Sequence, residues 1–253
     1  MTDKGLADYA QGDYSERRYG KLGGRKILER ESETYRKLLK HMGAEEGDRV
    51  LELGSNDALK SQYIGDRDGY KMEAADAEKE ALEIAEEHDR AEAYHEVDAH
   101  DLPFDDNSFD YIIIPRMLHL DVIDEETVLE EASRVAEKGF AFDVFSKSSL
   151  RIYNSFMHKF DSNMPKSNLV TKKQILGKGS RPGWLSEYEE DGIKMITDFL
   201  IPFGAFKGFD SKIYVGSVEK VNNFFRWESA ETLKKKGVFP DFNSVIYTAV
   251  KQE

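Results

Sequence analysis

The sequence contains no cysteine, which excludes disulfide bonds, thiolate metal sites and cysteine nucleophiles. It has no apolar run long enough to span a bilayer and no apolar core of signal-peptide length at its start, so we expect a soluble, cytoplasmic protein. Positive charge is scarce, because 36 basic residues face 49 acidic ones and the net charge is −13. Phosphate binding needs a basic face, so a broad nucleic-acid footprint is not expected. The six histidines lack ligand spacing, and no metal site is predicted.

The first 146 residues show a regular alternation of strands and helices. The predicted strands are Val50–Leu53, Tyr70–Asp76, Ala91–Asp98, Phe109–Ile114 and Phe140–Phe145. Amphipathic helices are predicted after the first turn, over 78–88 and over 122–136, the last with Gly139 as its end, and a further helix precedes the first strand over 25–42. This alternation favours a parallel, doubly wound sheet, which binds its ligands at the carboxyl ends of the strands.

Four residues lie at these ends of the predicted strands, namely Gly54, Asp76, Asp98 and Pro115, and we expect them to converge. The turn at Gly54 brings backbone N–H groups to one point, where glycine lets a ligand approach closely. Asp76 suits the vicinal hydroxyls of a ribose, and Asp98 suits an exocyclic amino group of a base. The alternatives are an ordinary capped turn after the first strand, a solvated acid at Asp76 and a turn cap at Asp98.

Four stretches of the chain follow a family pattern. They are VLELGSND (50–57), EAADAEKEALEIAEE (73–87), VDAHDLPFDDNSFDYIII (97–114) and VLEEASRVAEKGFAFDVFS (128–146). Together they resemble the class I S-adenosylmethionine-dependent methyltransferases, in particular the methyltransferase-11-like subfamily with its LPF/NSFD signature. The resemblance implies an α/β fold with a Rossmann-like, doubly wound, mostly parallel seven-stranded sheet and an antiparallel C-terminal hairpin strand. It also implies S-adenosyl-L-methionine as the cofactor.

The resemblance further implies which residues bind this cofactor. The turn after the first strand would line the methionine end, Asp76 would bind the ribose hydroxyls and Asp98 would frame the adenine. Arg116 would lie beside the methyl group. The full cofactor-binding set is Tyr19, Glu52, Gly54, Ser55, Asn56, Asp76, Ala77, Asp98, Ala99, Pro115 and Arg116.

The chain departs from the family in its glycine-rich turn, which is usually G-x-G-x-G. Residues 54–58 read GSNDA, so only the first glycine remains. A methyl group at Ala58 is neutral if it lies within the helix, and it crowds the cofactor if it faces the turn. The departure bears on cofactor affinity rather than on the fold.

Methyl transfer needs chiefly the alignment of nucleophile, methyl group and sulfur. A general base is needed only where the acceptor has a proton to lose. His119, just past the fourth strand, is the candidate base, and the alternative is a histidine that packs or hydrogen-bonds at a helix start. Arg116 could orient an anionic acceptor or lie at the surface.

The C-terminal third is less regular. A helix is predicted over 148–160 and two further strands over 193–201 and 243–251. Between these strands, the stretch 203–241 is rich in aromatic residues, which either shape the acceptor pocket or pack in the core.

We expect one domain over 1–253. In it, 1–45 forms a helical segment or lid, 46–146 the cofactor-binding core and 147–253 the part that shapes the acceptor pocket. The leading function is S-adenosylmethionine-dependent methyl transfer to a small-molecule acceptor by in-line displacement. The alternatives are a catalytically silent binding or regulatory protein, and an RNA or protein methyltransferase docking through the basic segment 172–181. A nicotinamide oxidoreductase is least favoured, because its phosphate-binding turn needs glycines that this chain lacks.

Overall fold

A computed structural model describes residue 19 and residues 22–120, 122–146, 169–170, 175, 193–198 and 245–252. The helices are α1 (Leu22–Met42), α2 (Leu59–Asp68), α3 (Lys79–Glu87) and α4 (Glu125–Val135). The strands are β1 (Arg49–Leu53), β2 (Lys71–Asp76), β3 (Ala93–Glu96), β4 (Phe109–Ile114), β5 (Ala136–Ser146), β6 (Leu169–Val170), β7 (Ile193–Asp198) and β8 (Val245–Lys251).

The strands form one sheet in the order β3-β2-β1-β4-β5-β8-β7. Strands β1 to β5 pair in parallel, and β8 pairs antiparallel with both β5 and β7. The two-residue strand β6 pairs with β5 outside this path. The predicted fold class is confirmed, with β6 as an addition to the seven strands expected. No helix among the described residues combines the length and apolar character needed to cross a membrane.

The central strand β4 is buried on both faces, as its unbroken apolar run predicts. Ile112 and Ile114 pack into a cluster that contains the apolar face of α4. Tyr111 and Ile113 point to the opposite face and pack against α1. Because side chains alternate along a strand, one strand thus anchors a helix layer on each side of the sheet. The layers leave the carboxyl ends of β1, β2 and β4 at one edge.

The LPF/NSFD stretch forms a loop that Arg134 of α4 holds in place. Its guanidinium donates hydrogen bonds to the carbonyl oxygens of Leu102 (2.9 Å) and Phe104 (2.7 Å) and to the carboxylate of Asp106 (2.9 Å). The backbone N–H of Asn107 in turn donates to the carbonyl oxygen of Arg134. The stretch therefore delivers the chain into β4 and packs it against α4.

Some boundaries differ from the sequence prediction. Helix α4 begins after Asp124, whose carboxylate caps it by accepting from the N–H groups of Glu126 and Thr127. The prediction that Gly139 ends this helix is wrong, because β5 begins at Ala136 and Gly139 lies within the strand. The helix predicted over 148–160 and the aromatic stretch 203–241 lie outside the described residues.

Gly139 lies in β5 opposite Lys251 of β8, where there is no room for a side chain. A Cβ atom there would lie 2.6 Å from the carbonyl oxygen of Val250 and 3.0 Å from the sulfur of Met42. We predict that Gly139→Ala lowers the free energy of unfolding by about 1–3 kcal/mol, because the strands must move apart. Urea denaturation measures this loss.

The control for this variant is Gly47→Ala. Gly47 has φ +91°, and a Cβ there would meet nothing within 4 Å, so its substitution reports backbone strain alone. An unchanged urea midpoint for Gly139→Ala would contradict the close approach of β5 and β8.

Candidate functional site

The turn after β1 has a left-handed backbone at three positions, although only one of them is glycine. Gly54, Asn56 and Ala58 have φ of 74°, 50° and 55°. These are the three positions at which the family pattern has glycine. Asparagine visits this left-handed region readily, whereas alanine there costs about 1–2 kcal/mol. The backbone shape is therefore retained, at a conformational cost concentrated at Ala58.

The methyl group of Ala58 points into the protein. Ala58 is fully buried and belongs to a small apolar cluster with Ala74, Leu82 and Ala85, between β2 and α3. It also occupies the position just before α2 begins. Ala58 is thus not within the helix, as one alternative expected, but its methyl group packs in this apolar cluster; whether it affects cofactor affinity stays a prediction.

Hydrogen bonds join the turn to the end of β2. The N–H groups of Gly54 and Ser55 both donate to the carbonyl oxygen of Ala75, at 2.8 and 3.0 Å. On the other side, a Cβ at Gly54 would lie 2.8 Å from the sulfur of Met117, which follows β4. The ends of β1, β2 and β4 therefore meet at Gly54, and Pro115 is buried beside them.

Asp76 lies at the centre of this meeting point. Its Oδ2 accepts a hydrogen bond of 2.7 Å from the N–H of Asn56, and its Oδ1 accepts one of 3.0 Å from the N–H of Glu78. Burial raises the pKa of this carboxyl group, and the bonds from the backbone act against the rise. A carboxylate has about four acceptor sites, more than these backbone bonds use, so Asp76 can still accept from a ligand hydroxyl. The adjacent Ala77 is exposed.

Asp98 lies differently from Asp76. Its side chain is 70% exposed, and its Oδ1 accepts a 2.9 Å hydrogen bond from the N–H of His100 and lies 2.7 Å from Nδ1 of the same residue. These contacts with His100 lower the pKa of Asp98. They are the turn cap that the sequence left open as an alternative, so an adenine contact of Asp98 stays a prediction. Ala99 packs against the main core cluster.

Glu52 is a buried acid within β1, 1% exposed. The hydroxyl of Ser61, on α2, donates a 2.6 Å hydrogen bond to its Oε2. Burial raises the pKa of Glu52 from its ordinary 4.5 to about 7, and the positive charge of Lys60 acts against this rise. The group therefore changes its charge near neutral pH.

Two further buried carboxylates, Glu31 and Asp143, lie near the same edge. Oε2 of Glu31 lies 3.7 Å from Nζ of Lys60, and Oε1 lies 3.8 Å from Nε of Arg116. The backbone N–H of Arg116 donates to Oδ1 of Asp143 at 2.7 Å, and its guanidinium lies 3.6 Å from Oδ2. The side chain of Arg116 is only 11% exposed, so the surface alternative for it is wrong.

Two tyrosines complete these contacts. The hydroxyl of Tyr19, a residue only 4% exposed, donates to Glu31 at 3.2 Å and accepts from Lys60 at 3.1 Å. The hydroxyl of Tyr35 lies 2.7 Å from Oδ1 of Asp143, and its pKa is raised well above the ordinary value by burial and by that carboxylate. Tyr19 thus reaches the methionine end of the predicted site through Glu31 and Lys60 rather than from a surface loop.

Sequence reasoning missed Glu31, Lys60, Tyr35 and Asp143 as site residues. A signal existed for the two acids. Glu31 lies on the apolar face of α1, one turn from the buried Tyr35, and Asp143 interrupts the apolar run of β5. A carboxylate at a core position is costly unless it is paired, so such a position marks a buried polar contact.

His119, the candidate base, packs its ring edge-on against Phe145, with centroids 4.5 Å apart. The guanidinium of Arg116 lies 4.4 Å from the centre of the same phenyl ring. The histidine is half-buried. This is the packing that the sequence left open as the alternative, and a role in proton transfer stays a prediction.

The raised pKa of Glu52 makes stability depend on pH. The folded state binds this proton more tightly than the unfolded chain, so ionising Glu52 costs stability as pH rises from about 4.5 to about 7. We predict that Glu52→Gln, which keeps the acceptor for Ser61, gains up to about 3 kcal/mol over the wild type across this window. Urea denaturation at about pH 5 and about pH 8 measures the difference.

Glu80→Gln is the matched control, because it makes the same change at an exposed position of α3. A difference between wild type and Glu52→Gln that does not vary with pH would contradict the buried, proton-binding state of Glu52.

Comparison with known proteins agrees with this arrangement. Residues 51–142 match a family model described as a methyltransferase domain. No curated protein sequence matches the chain. The finer LPF/NSFD subtype stays a prediction.

Solved methyltransferase structures share the fold at low identity. A chain of the Haloferax volcanii complex between the Trm112 methyltransferase activator and a methyltransferase has a TM-score of 0.59 and 17% identity, covering 100% of both chains. Magnesium protoporphyrin IX methyltransferase from Synechocystis PCC 6803, with bound S-adenosylhomocysteine, has a TM-score of 0.58 and 12% identity. The match covers 99% of this chain and 100% of that one. An S-adenosylmethionine-dependent methyltransferase from Thermotoga maritima has a TM-score of 0.56 and 15% identity. The match covers 90% of this chain and 92% of that one.

The family match falls on β1 to β5, the part of the sheet whose strand ends meet at Gly54 and Asp76. Residues 51–142 therefore match a methyltransferase domain, on a fold shared with S-adenosylmethionine-dependent methyltransferases, and S-adenosylmethionine is the cofactor of that domain.

Proposed function

We propose that this enzyme transfers the methyl group of S-adenosylmethionine to a small-molecule acceptor by in-line displacement at the carboxyl ends of β1, β2 and β4. The observation that carries the proposal is the left-handed turn at 54–58, tied by Asn56 to the carboxylate of Asp76. This combination offers a ligand both bare backbone and a carboxylate with lone pairs to spare.

Each part of the site suits one part of the cofactor. Asp76 would accept from the two ribose hydroxyls, and the Ser55 and Asn56 segment would approach the methionine moiety. Glu52, buried under the first turn of α2, would balance positive charge at that end. Asp98 and Ala99 would lie at the adenine, with the backbone or the exposed Asp98 side chain supplying the contact. The fit needs no rearrangement of the bonds that already hold Asp76.

The cofactor supplies an activated methyl group on a positively charged sulfur, so the protein has to bind, align and exclude water. The carboxyl end of β4 is well suited to aligning the acceptor with the methyl group. Pro115 is buried, and Arg116 is held at φ 62° by its bond to Asp143. A backbone fixed in this way gives the acceptor side a rigid wall.

The enclosure of the site supports a small acceptor. Tyr19, almost fully buried, lies against Glu31 and Lys60 and so covers the methionine end of the proposed site. A large substrate would have to displace this contact. The net charge of −13 also disfavours an RNA acceptor. The Synechocystis neighbour is named for a small acceptor, a magnesium porphyrin.

Two assignments depend on the acceptor. Where the acceptor loses a proton, His119 is the residue of this edge that would remove it, after its ring leaves the packing against Phe145. Arg116 is already engaged by Glu31 and Asp143, so we assign it to holding the wall of the site rather than to binding an anionic acceptor.

The test of this function is incubation of the protein with methyl-labelled S-adenosylmethionine and three acceptor pools: a small-molecule extract, bulk RNA and total protein. We expect label in the small-molecule pool. Label confined to RNA or protein would overturn the small-molecule proposal, and no label in any pool would favour the catalytically silent alternative.

Asp76 provides a prediction on binding. Asp76→Asn replaces one carboxylate oxygen by an NH2 group, which cannot accept a hydrogen bond from a hydroxyl or from the backbone N–H groups it faces. We expect the dissociation constant for S-adenosylhomocysteine to rise about tenfold or more, the loss of one charge-assisted hydrogen bond. Isothermal calorimetry measures it, and thermal unfolding checks that the fold is kept. Unchanged affinity would show that the ribose lies elsewhere.

A substitution at Ala58 distinguishes the enzyme hypothesis from the catalytically silent alternative. Because its methyl group packs with Ala74, Leu82 and Ala85, we expect Ala58→Gly to leave the affinity for S-adenosylmethionine within about threefold of the wild type, a change of less than about 1 kcal/mol. A large gain of affinity, again by calorimetry, would mean that the methyl group crowds the cofactor. Binding that appears only in the glycine variant would favour a silent protein.

A further inference from the structure

Five buried charged side chains form an alternating chain from β1 to β5. The order is Glu52, Lys60, Glu31, Arg116 and Asp143. Glu31 is fully buried at its centre and lies within 4 Å of both cations, and Arg116 continues the chain to Asp143 at 3.6 Å. Lys60 also joins Glu52 to the chain electrostatically, because its positive charge acts to lower the pKa of that carboxyl group. No member is more than 11% exposed.

These five side chains hold more negative than positive charge. Three carboxylates alternate with two cations, so the five groups together carry one negative charge in excess when all are ionised. The neighbouring acid Asp57 adds none, because it is paired with Arg90 at 2.7 Å. Charges that are removed from water interact more strongly and are screened less by salt. An excess charge in this position therefore acts on whatever binds beside it.

The methyl donor and its product differ by one positive charge. S-adenosylmethionine carries a sulfonium ion, whereas S-adenosylhomocysteine has a neutral thioether at the same place. We propose that this buried chain sets the enzyme's preference for the cationic donor over the neutral product, with Glu31 as the specificity-determining residue at its centre. The proposal rests on the proposed function, because it takes the methionine end of the cofactor to lie beside Glu52 and Lys60.

The consequence concerns product release. Once the methyl group has left, the excess negative charge loses the positive charge that balanced it, and the product is held less tightly than the donor. The same charge stabilises the donor before the reaction more than the transition state, in which the sulfur is losing its charge. The five buried charges therefore favour turnover through donor binding and product release rather than through the chemical step.

A series of charge variants tests the proposal by calorimetry at about pH 8, above the pKa of about 7 of Glu52. The probes are S-adenosylmethionine, S-adenosylhomocysteine and sinefungin, whose amine carries a positive charge without a transferable methyl group. Glu31→Gln removes the excess negative charge of the five groups, and Lys60→Met increases that excess. The double variant Glu31→Gln/Lys60→Met returns the excess to its wild-type value.

We expect the ratio of product to donor dissociation constants to be above one in the wild type. It should fall about tenfold in Glu31→Gln, rise in Lys60→Met and return to the wild-type value in the double variant, because a unit charge roughly 10 Å away has an effect of this size. Sinefungin should follow the donor. If Glu31→Gln does not fold, the comparison of Lys60→Met with the wild type and with Lys138→Met decides the question.

Lys138→Met is the matched control. Lys138 pairs with Asp48 and Asp110 at the opposite ends of the strands, so its loss changes the net charge of the protein without altering the five buried charges. A ratio that stays constant through the series, or that shifts equally in the control, would overturn the inference while leaving cofactor binding intact. No binding of any probe by the wild type would instead overturn the proposed function.

Discussion

The hydrogen bond from the N–H of Asn56 to the carboxylate of Asp76 is the contact on which the site depends. It joins the turn after β1 to the end of β2 and holds Asn56 in a left-handed conformation that asparagine tolerates. The bonds of Gly54 and Ser55 to Ala75 act in the same direction. Together they hold a left-handed backbone at three positions of a turn with a single glycine, so the altered motif does not by itself argue for loss of cofactor binding.

Much of the fold could be predicted because its core obeys simple periodicity. The unbroken apolar run of β4 has the bounds that the sequence indicates, and the helices on either face follow from apolar spacing. The error at Gly139 has a physical reason. That glycine serves the close approach of β5 to β8, a contact distant in sequence, rather than the end of a helix.

The site was predictable only in part. The turn and Asp76 carry local signals, a glycine after an apolar strand and an acid at the end of the next one. Glu31 and Asp143 are different, because each is an acid at a position that periodicity assigns to the core, and its partners come from other elements. Arg116 shows the same limit, since its neighbours on α1 and β5 decide that it is buried. Pairing between distant segments is not encoded in any local pattern.

The central claim is that S-adenosylmethionine binds at the carboxyl ends of β1, β2 and β4. The most direct measurement is a calorimetric titration of the wild-type protein with S-adenosylmethionine and S-adenosylhomocysteine, with NAD as the comparison ligand. The account predicts micromolar binding of the first two and no heat from NAD. Failure of both adenosyl ligands to bind, or equal binding of NAD, would contradict it.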